Sequence, residues 1–579
     1  MTDAPAPSLF QQITRGWRGY VLIALIALAS GLFGATKVPP LDIDEARFAQ
    51  ATRQMIESDD YVRIRLQDQD RNRKPIGIHW LQAASVHTFA PLIPKLNTIW
   101  PYRIPSALGL ALAALATMWA GAALLPHRTA LIGAGLFATG LLAGLEGMIA
   151  KTDSVMVGFT TLALAALAQL YARKPRPRLT SLIFWAAIGA GVLVKGPITP
   201  LIAALTLGAL YVWERKAAWM KPLLWWPGPI LALAITLPWL ISIGIVTNGA
   251  FYTELLANEL GPKVAGVDHS HGGLPGYYVL LLPLLIFPAT YALPAAARIS
   301  FTAIRAPRDD ESQAALRFLL CWAVPTFLLF EFFPTKLVHY TLPAYPAIAL
   351  LCAAGLMAMR TKQWRTMHPL GAVLFGLFGA LIVGLTAFVA TYMPGGFDAD
   401  FRRALSAGII GALVLIASIV GLSLVKRPTA RAGILIACAL ALSFTLRERT
   451  LPEARSLFVS QEAVAALTRA RMMPRDEEPF WVVGYSQPSL IFLTRTSIRM
   501  AQPEDMAAQA QPGDSLVMEG RVLERTRALL LARGLVFEEV EAPARGMALG
   551  RGENTTLHIG RVRAVSAETG SEAAAGPRR

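Results

Sequence analysis

Long apolar runs separated by short polar loops dominate the chain. A helix needs roughly 20 mostly apolar residues to cross a bilayer, so each run predicts a membrane span, and we count about thirteen of them. The runs cover residues 19–36, 103–125, 129–149, 154–172, 180–194, 198–213, 223–246, 276–297, 316–333, 341–359, 369–392, 403–425 and 431–446. The stretch 180–213 contains Lys195-Gly196-Pro197. It is either two short helices or one long kinked helix.

Composition agrees with this pattern. Hydrophobic residues make up 54% of the 579 residues and charged residues only 16%, with a mean hydropathy of +0.47. These values are typical of multi-span membrane proteins. The first run follows Arg15 and Arg18, as a secretory signal would, but no convincing cleavage motif comes after it. We therefore interpret it as a retained first span.

The basic residues predict the orientation of the chain. With the N-terminus in the cytoplasm, six short basic loops fall on the cytoplasmic side, as the positive-inside rule requires. These loops are "PHR", "RKPRPR", "ERKAAWMK", "ARISFTAIRAPR", "MRTKQWR" and "VKRPTAR". The net charge of +16 is then largely a matter of topology, with attraction to anionic lipid as a second contribution. It gives no reason to expect a nucleic-acid partner.

The loops on the other side carry polar groups of both signs. They contain Asp44, Glu45, Lys74, His79, Lys151, Asp153, Glu254, Glu259, His269, His271, Lys336 and His339. A transporter more often places such groups near the bilayer midplane, among broken helices. An enzyme acting at the outer surface would place them here. No inverted repeat is evident, which also argues against the alternative of a transporter or lipid flippase.

The first external loop, residues 37–100, predicts two amphipathic helices lying on the membrane. The first begins within "LDIDEARFAQATRQMI" and has Phe48, Thr52 and Met55 on one face. Asp42, three residues before Glu45, has the spacing of a helix cap. The second helix covers 76–92.

Local sequence alone favours modest roles for the polar residues. Asp44 and Glu45 suit the positive end of a helix dipole, and Arg71, Arg73 and Lys74 suit a lipid head-group anchor. Lys336 and His339 could snorkel at the end of a span. His269 and His271 lack a clear third ligand, so they form a weak zinc signature.

Residues 447–563 alternate helix-like and strand-like segments, which predicts a small external α/β domain. The helix-like segments are "SQEAVAALTRAR" and "RVLERTRALLLARG", and the strand-like ones are "FWVVGY", "DSLVME", "LVFEEVE" and "TTLHIGRV". Residues 564–579 have the composition of a disordered tail. The three cysteines lie inside predicted spans, so we expect no disulfide in this domain.

Several ordered stretches resemble the lipid-linked glycosyltransferases, namely the bacterial aminoarabinose transferases of lipid A and the related protein O-mannosyltransferases. The similar stretches are "DIDEARFAQATRQMIESDDYVRIRL", "RNRKPIGIHWLQ", "AKTDSVM", "HGGLPGYYVLLLPLLIFP", "TKLVHYTLPAYPAIALL" and "PSLIFLTR". Together they cover most of the chain.

The resemblance implies a mainly α polytopic membrane protein of the GT-C fold, with residues 1–446 as the membrane domain. It implies a bacterial inner-membrane enzyme that takes a sugar from a polyprenyl phosphate, usually undecaprenyl phosphate, on the periplasmic side. The acceptor would be lipid A or another envelope lipid or glycan. A protein O-glycosyl or oligosaccharyl transferase of the same clan remains the alternative. We expect a monomer.

The resemblance also implies roles for individual residues. Lys74 matches the lysine of the family's Lys-Pro motif and would neutralise the leaving phosphate. Asp44 matches the essential loop acid and would take a proton from a hydroxyl acceptor or orient a phosphate acceptor. Asp153 matches the acid before the fourth span. The substrate-binding residues implied in this way are Glu45, Arg47, Arg71, Lys151, His271, Lys336, Tyr340 and Tyr345.

One departure concerns metal. Aminoarabinose transferases often have a glutamate before the Lys-Pro pair, and Arg73 stands there in this chain. A zinc site built on that carboxylate is therefore in doubt. We expect no required cofactor and leave a divalent cation open.

Overall fold

The computed structural model describes residues 16–42, 44–261, 273–359, 367–392, 396–475, 478–549 and 551–565, without the side chains of 258–260 and 396–401. The helices are α1 Trp17–Leu32, α2 Asp44–Ser58, α3 Gly77–Phe89, α4 Trp100–Leu124, α5 His127–Ala138, α6 Leu141–Met148, α7 Thr152–Tyr171, α8 Pro177–Lys195, α9 Ile198–Glu214, α10 Pro227–Val246, α11 Ala250–Glu254, α12 Tyr277–Leu285, α13 Leu293–Arg305, α14 Ala314–Phe332, α15 Tyr345–Ala358, α16 Met367–Ala390, α17 Gly396–Leu424, α18 Pro428–Phe444, α19 Val459–Arg469, α20 Pro488–Leu493, α21 Pro503–Gln509 and α22 Leu523–Leu531. The strands are β1 Arg65–Leu66, β2 Gln69–Asp70, β3 Phe480–Val483, β4 Arg499–Ala501, β5 Ser515–Glu519, β6 Leu535–Ala548 and β7 Glu553–Ala564.

Within the described residues, eight helical stretches are long and apolar enough to cross a membrane. Two further spans are possible if bent helix pairs are counted as one each: α5 with α6, bent by 58°, and α12 with the helical stretch Ala289–Arg305, bent by 111°. Three more apolar helices are shorter: α1, α9 and Leu342–Ala358. The prediction of a mainly helical, multi-span protein is thus confirmed, with eight to ten candidate spans by length and composition.

Small residues bring the central helices of the membrane body together. A Cβ on Gly109 of α4 would lie 2.7 Å from the Cα of Val155 in α7, and one on Gly158 would lie 2.8 Å from the carbonyl oxygen of Gly109. Such contacts let two helix backbones approach closely in an apolar environment. The surrounding core consists mainly of buried Ala, Leu and Ile side chains.

The break at Lys195-Gly196-Pro197 separates two helices, as one of the two sequence alternatives predicts. Gly196 has a φ of 65°, a conformation that glycine adopts without strain, and its N–H donates to Val192 O at 2.8 Å. Pro197 then precedes α9. As a result, Lys195 is the last residue of α8, at the same end of the body as the start of α7.

The first external loop contains both predicted amphipathic helices, α2 and α3, joined by the β1–β2 hairpin. Phe48, Thr52 and Met55 of α2 are buried, as their spacing predicts. However, α2 also buries Gln50 and Arg53, because it packs against α20 as well as α3. α2 is therefore covered by protein on more than one side.

The C-terminal region, residues 459–564, contains a five-stranded sheet in the order β4-β3-β5-β7-β6. β3 is parallel to β4 and β5, whereas β7 is antiparallel to both β5 and β6. The four strand-like and two helix-like segments of the sequence form β3, β5, β6, β7, α19 and α22. β4 is an additional edge strand.

The prediction that Asp42 caps α2 is wrong. The helix begins at Asp44, and the Asp42 carboxylate accepts a hydrogen bond from Ser489 Oγ of α20. Ser489 Oγ in turn lies 2.7 Å from Ser460 Oγ, which lies 2.8 Å from Tyr485 OH. Burial raises the pKa of Asp42 to about 6, against the opposing effect of these hydroxyl groups. Asp42 therefore belongs to the contact between the first loop and the C-terminal region.

Candidate active site

A cluster of five ionisable side chains lies where several membrane helices end. Glu146 is in the last turn of α6, Lys151 directly precedes α7, Asp153 is in the first turn of α7, Lys195 ends α8, and His339 lies between α14 and α15. We call these five residues the polar cluster. Four of the five are largely shielded from solvent, and Lys195 has a side chain only 12% exposed.

Asp153 is at the centre of the polar cluster. Its Oδ1 is bonded to the Lys195 ammonium, and its Oδ2 lies 3.6 Å from Lys151 Nζ. The Lys195 ammonium also lies 5.8 Å from the centre of the Tyr340 ring, within range of a cation–π interaction. Two cations thus converge on the Asp153 carboxylate.

Lys151 also contacts the second carboxylate. Its Nζ lies 3.0 Å from Glu146 Oε2. Burial alone would lower the pKa of Lys151, but the Glu146 and Asp153 carboxylates raise it above the ordinary lysine value. Lys151 is therefore an ammonium at neutral pH.

His339 is held between these groups as a neutral imidazole. Burial lowers its pKa well below 6.5, and the nearby ammonium groups of Lys151 and Lys195 lower it further, against the effect of Asp153. Lys151 Nζ lies 3.4 Å from Nδ1, and Nε2 lies 3.4 Å from Asp153 Oδ1. This arrangement fits a tautomer in which Nδ1 accepts from Lys151 and Nε2–H points to Asp153.

The polar cluster includes a possible set of metal ligands, since single ligand atoms of Glu146, Asp153 and His339 lie within 4.8 Å of one another. However, both carboxylates already contact ammonium groups, from Lys151 and Lys195. These cations supply the positive charge that a divalent ion would bring and would repel one. Both carboxylates are therefore engaged with ammonium groups, and the donor set fits a metal ion less well than its ligand types alone suggest.

Asp44 and Lys74, the two residues of the first loop proposed for catalysis, act electrostatically on this cluster. Asp44 contributes to the raised pKa of Lys151, and Lys74 contributes to the lowered pKa of His339. The Asp44 side chain is 53% exposed, with Arg47 Nη1 3.9 Å from Oδ1, and Lys74 is half-buried. The structure thus brings Asp44, Lys74, Lys151 and Asp153 to one region.

Glu45 is placed differently from its predicted substrate-binding role. It is fully buried, and its two oxygens accept from Arg103 Nε and Nη2, both at 2.8 Å. They also accept from the backbone N–H of Leu41 and Ala150, again at 2.8 Å. Its acceptor positions are therefore occupied within the protein. Glu45 ties the start of α2 to the residue preceding Lys151.

Arg47 and Arg71 line a polar cavity of about 280 Å³ together with Arg73 and Glu254. The Arg71 guanidinium also lies 4.9 Å from the centre of the Phe48 ring. Both positions are accessible and basic, as a binding role for an anionic group requires.

Two further predicted binding residues are engaged inside the protein. Tyr345 is almost fully buried, with its hydroxyl 3.1 Å from Thr341 Oγ1. The buried Lys336 ammonium donates to the carbonyl oxygens of Phe330, at 3.1 Å, and Glu331. Lys336 therefore caps the end of α14, and Tyr345 packs in the core. Tyr340 lies beside His339, with ring centres 5.3 Å apart. His271 falls outside the described residues.

Three members of the polar cluster were not among the predicted site residues: Glu146, Lys195 and His339. Glu146 lies near the end of an apolar run, and Lys195 lies at the predicted helix break, so the sequence gives neither residue a role although both segments face the external side. His339 stood in the external set but was considered a residue at a span end. All three are titratable residues at the same end of the membrane body, and this shared position is the sequence feature that could have identified them as site residues.

The family model for dolichyl-phosphate-mannose-protein mannosyltransferase matches residues 73–241. The undecaprenyl phosphate-alpha-4-amino-4-deoxy-L-arabinose arabinosyl transferase of Pectobacterium atrosepticum is 27% identical over 365 residues, which are 61% of this chain and 63% of that relative. The protein of the same name from Erwinia tasmaniensis is 28% identical over 353 residues, 59% of this chain and 60% of that relative. The chain thus matches somewhat less than two thirds of the length of these curated relatives.

The crystal structure of ArnT from Cupriavidus metallidurans bound to undecaprenyl phosphate superposes with a TM-score of 0.72 at 19% identity, covering 96% of this chain and 99% of that one. Its apo state gives 0.70 at 20% identity, with the same coverage. The chain therefore has the GT-C membrane fold of ArnT. Together with the sequence relatives, this fold confirms the resemblance to the lipid-linked glycosyltransferases.

Proposed function

We propose that the protein is a glycosyltransferase that moves a sugar from a polyprenyl phosphate carrier, such as undecaprenyl phosphate, to an envelope lipid or glycan such as lipid A. The observation that carries the proposal is the polar cluster, in which Lys151 and Lys195 converge on Asp153 close enough to Asp44 and Lys74 for their charges to interact. A lipid-linked donor is both apolar and anionic. A site of buried cations at the ends of apolar helices suits such a molecule.

The reaction breaks the bond between the anomeric carbon and the phosphate oxygen of the donor. The bonding electrons leave with the phosphate, and the anomeric carbon forms a bond to an acceptor oxygen. Charge therefore builds on the leaving phosphate, where fixed ammonium groups stabilise it most effectively. We assign Lys74 to this phosphate.

We assign Asp44 to the acceptor. Its exposed carboxylate takes the proton of an acceptor hydroxyl, or orients an acceptor phosphate, which has no proton to lose. Asp153 holds Lys195 and Lys151 in place and orients the donor sugar. Tyr340 and the two arginines of the 280 Å³ cavity, Arg47 and Arg71, complete the binding surface.

The proposal includes a topology. We infer thirteen spans, counting the bent pairs and the short apolar helices. The basic loops favour a cytoplasmic N-terminus, and the polar cluster would then lie at the periplasmic face of a bacterial inner membrane. Residues 1–446 then form the membrane domain, residues 447–563 a periplasmic α/β domain and residues 564–579 a tail. The protein acts as a monomer among membrane lipids.

The acceptor has two candidates. The resemblance to the aminoarabinose transferases of lipid A favours a lipid acceptor, whereas the family model matching residues 73–241 is named for protein mannosyltransfer. The polar cluster serves either reaction, because the donor is a polyprenyl phosphate sugar in both. The identity of the acceptor is the point that an experiment must decide.

Mass spectrometry of lipid A and of envelope glycoproteins from a deletion strain tests the proposal. We expect one sugar modification to disappear, to return with the intact gene, and to stay absent with Lys195→Met. Lys95→Met, an exposed lysine away from the cluster, is the matched control and should restore the modification. Unchanged lipid A and glycoprotein spectra in the deletion strain would refute the proposed activity.

A further inference from the structure

A second concave surface lies on the membrane body along α8 and α9, and no residue of the polar cluster lines it. It is an apolar groove of about 730 Å³, lined by side chains of these two helices and of the 3₁₀ segment Ala218–Leu224. We call it the lipid groove. Its volume is within the range of roughly 300–1,000 Å³ that is usual for ligand sites.

The groove extends toward the end of the body opposite the polar cluster. Lys195 closes α8 at the cluster, so the antiparallel α9 runs away from it and ends at Glu214. Phe184 and Leu207 line the middle of the groove, and Lys221 stands at its mouth. The groove is therefore distinct from the proposed catalytic site.

The mouth of the groove is strongly basic. Lys221 lines the groove, and the exposed Arg215 and Lys216 directly precede Ala217, which also lines it. The loop that precedes α8, together with the first turn of that helix, adds four more exposed cations, Arg173, Lys174, Arg176 and Arg178. The residues from 173 to 246 contain one acid, Glu214. Arg317 Nε lies 3.0 Å from its carboxylate and Tyr171 OH lies 2.5 Å from it, so Glu214 does not neutralise the mouth.

The segment beside the mouth has the features of a membrane interface. Leu224 is 83% exposed and Trp226 is 68% exposed. Trp185 Nε1 donates to Leu223 O at 3.0 Å, which fixes the 3₁₀ segment over α8. Exposed tryptophans beside cations are typical of the level of the lipid head groups. An apolar groove at this depth opens to acyl chains, and its cations face phosphates.

We propose that the lipid groove binds an anionic phospholipid of the bilayer, with an acyl chain between α8 and α9 and the phosphate on Lys216 and Lys221. Charge complementarity selects this occupant over a zwitterionic lipid. The site is independent of the proposed sugar transfer. In the proposed topology it faces the cytoplasmic leaflet.

Native mass spectrometry of the full chain tests the proposal, with equal amounts of phosphatidylglycerol and phosphatidylcholine in detergent. We expect the wild-type protein to retain phosphatidylglycerol preferentially. Lys216→Ala and Lys221→Ala should each lower that preference about fivefold, which is the effect of one basic residue on an anionic lipid. Lys174→Ala, at the same end but outside the groove, should lower it much less.

A second pair of variants separates the acyl-chain site from the charge. Ala204→Trp fills the groove from an exposed position and should lower the retention of phosphatidylglycerol, whereas Val212→Trp, exposed on the same helix but outside the groove, should not. Equal retention of the two lipids by the wild-type protein would overturn the proposal, as would equal effects of the lysine variants and Lys174→Ala. Displacement of phosphatidylglycerol by undecaprenyl phosphate would overturn the choice of occupant.

Discussion

Asp44 and Glu45 are neighbours with opposite environments, and exchanging each for its amide should separate catalysis from stability. Glu45 is fully buried and accepts four hydrogen bonds, two from Arg103 and one each from the N–H groups of Leu41 and Ala150. Asp44 is half-exposed. We predict that Glu45→Gln destabilises the protein, whereas Asp44→Asn leaves it stable and inactive.

The magnitude follows from the burial of the ion pair. In Glu45→Gln an NH₂ group replaces one acceptor oxygen, so that hydrogen-bond donors would face each other. The Arg103 side chain, which is 0% exposed, would also lose its counter-charge. Breaking a buried pair in this way costs about 3–5 kcal/mol. Replacing both Glu45 and Arg103 by Met should recover only part of this loss. Arg103 also donates to the carbonyl oxygens of Ala35, Val38 and Pro39, which would then lack a donor.

Reversible unfolding in mixed micelles provides the stability measurement, and sugar transfer normalised to folded protein provides the activity. Asp44→Asn should change the free energy of unfolding by less than about 0.5 kcal/mol, as exposed substitutions usually do. It should lower the rate by about 10²–10⁴-fold, the usual contribution of a general base. If Glu45→Gln unfolded like the wild-type protein, the role given to the Glu45–Arg103 pair would be wrong.

Three further predictions concern pH, topology and metal. Burial raises the pKa of Asp42 to about 6 from its ordinary value of 3.8, so the folded state binds the extra proton between these values and its stability falls as pH rises through this range. Asp42→Asn keeps an acceptor for Ser489 without the charge, so the variant should be as stable to heat as the wild-type protein near pH 4 and more stable at pH 8. A difference in thermal stability that did not change with pH would refute the raised pKa of Asp42. Reporter fusions after Arg178 should report cytoplasm and fusions after Glu453 the periplasm, and a cytoplasmic Glu453 would invalidate the proposed topology. His271→Ala should reduce transfer moderately and chelators should have little effect, whereas complete loss in both tests would restore the metal hypothesis.

The sequence predicts the elements of this protein better than their contacts. Spans are visible because twenty apolar residues in a row have few other interpretations, and the strands of the C-terminal region follow from their alternation. The sequence predicts the helix break at Gly196 as one of two alternatives, because glycine and proline are common where helices end. The 58° bend between α5 and α6 was missed, since residues 129–149 are apolar on both sides of the bend.

The candidate site was predicted only in part, for a physical reason. Asp44, Lys74, Lys151 and Asp153 lie in loops or at helix starts, where charged residues stand out in the sequence. Pairing partners depend on tertiary structure. Arg103 lies 58 residues from Glu45, and Lys195 lies 42 residues from Asp153. The resemblance assigns Glu45, Lys336 and Tyr345 to substrate binding. Inside the protein their partners are, in the same order, Arg103, two backbone carbonyl oxygens and Thr341, and no local sequence feature indicates these contacts.

The most direct test of the proposed active site is sugar transfer from labelled undecaprenyl phosphate sugar by the purified protein. The aminoarabinose-linked donor of the relatives is the first to try. We expect Lys74→Ala to lower transfer by about 10²–10³-fold, as removal of one charge-stabilising donor does. We expect Asp153→Asn to abolish transfer. Lys95→Ala should leave transfer unchanged, and all three variants should be compared at equal amounts of folded protein. Near-wild-type transfer by both Lys74→Ala and Asp153→Asn would contradict the claim that this end of the helices is the catalytic site.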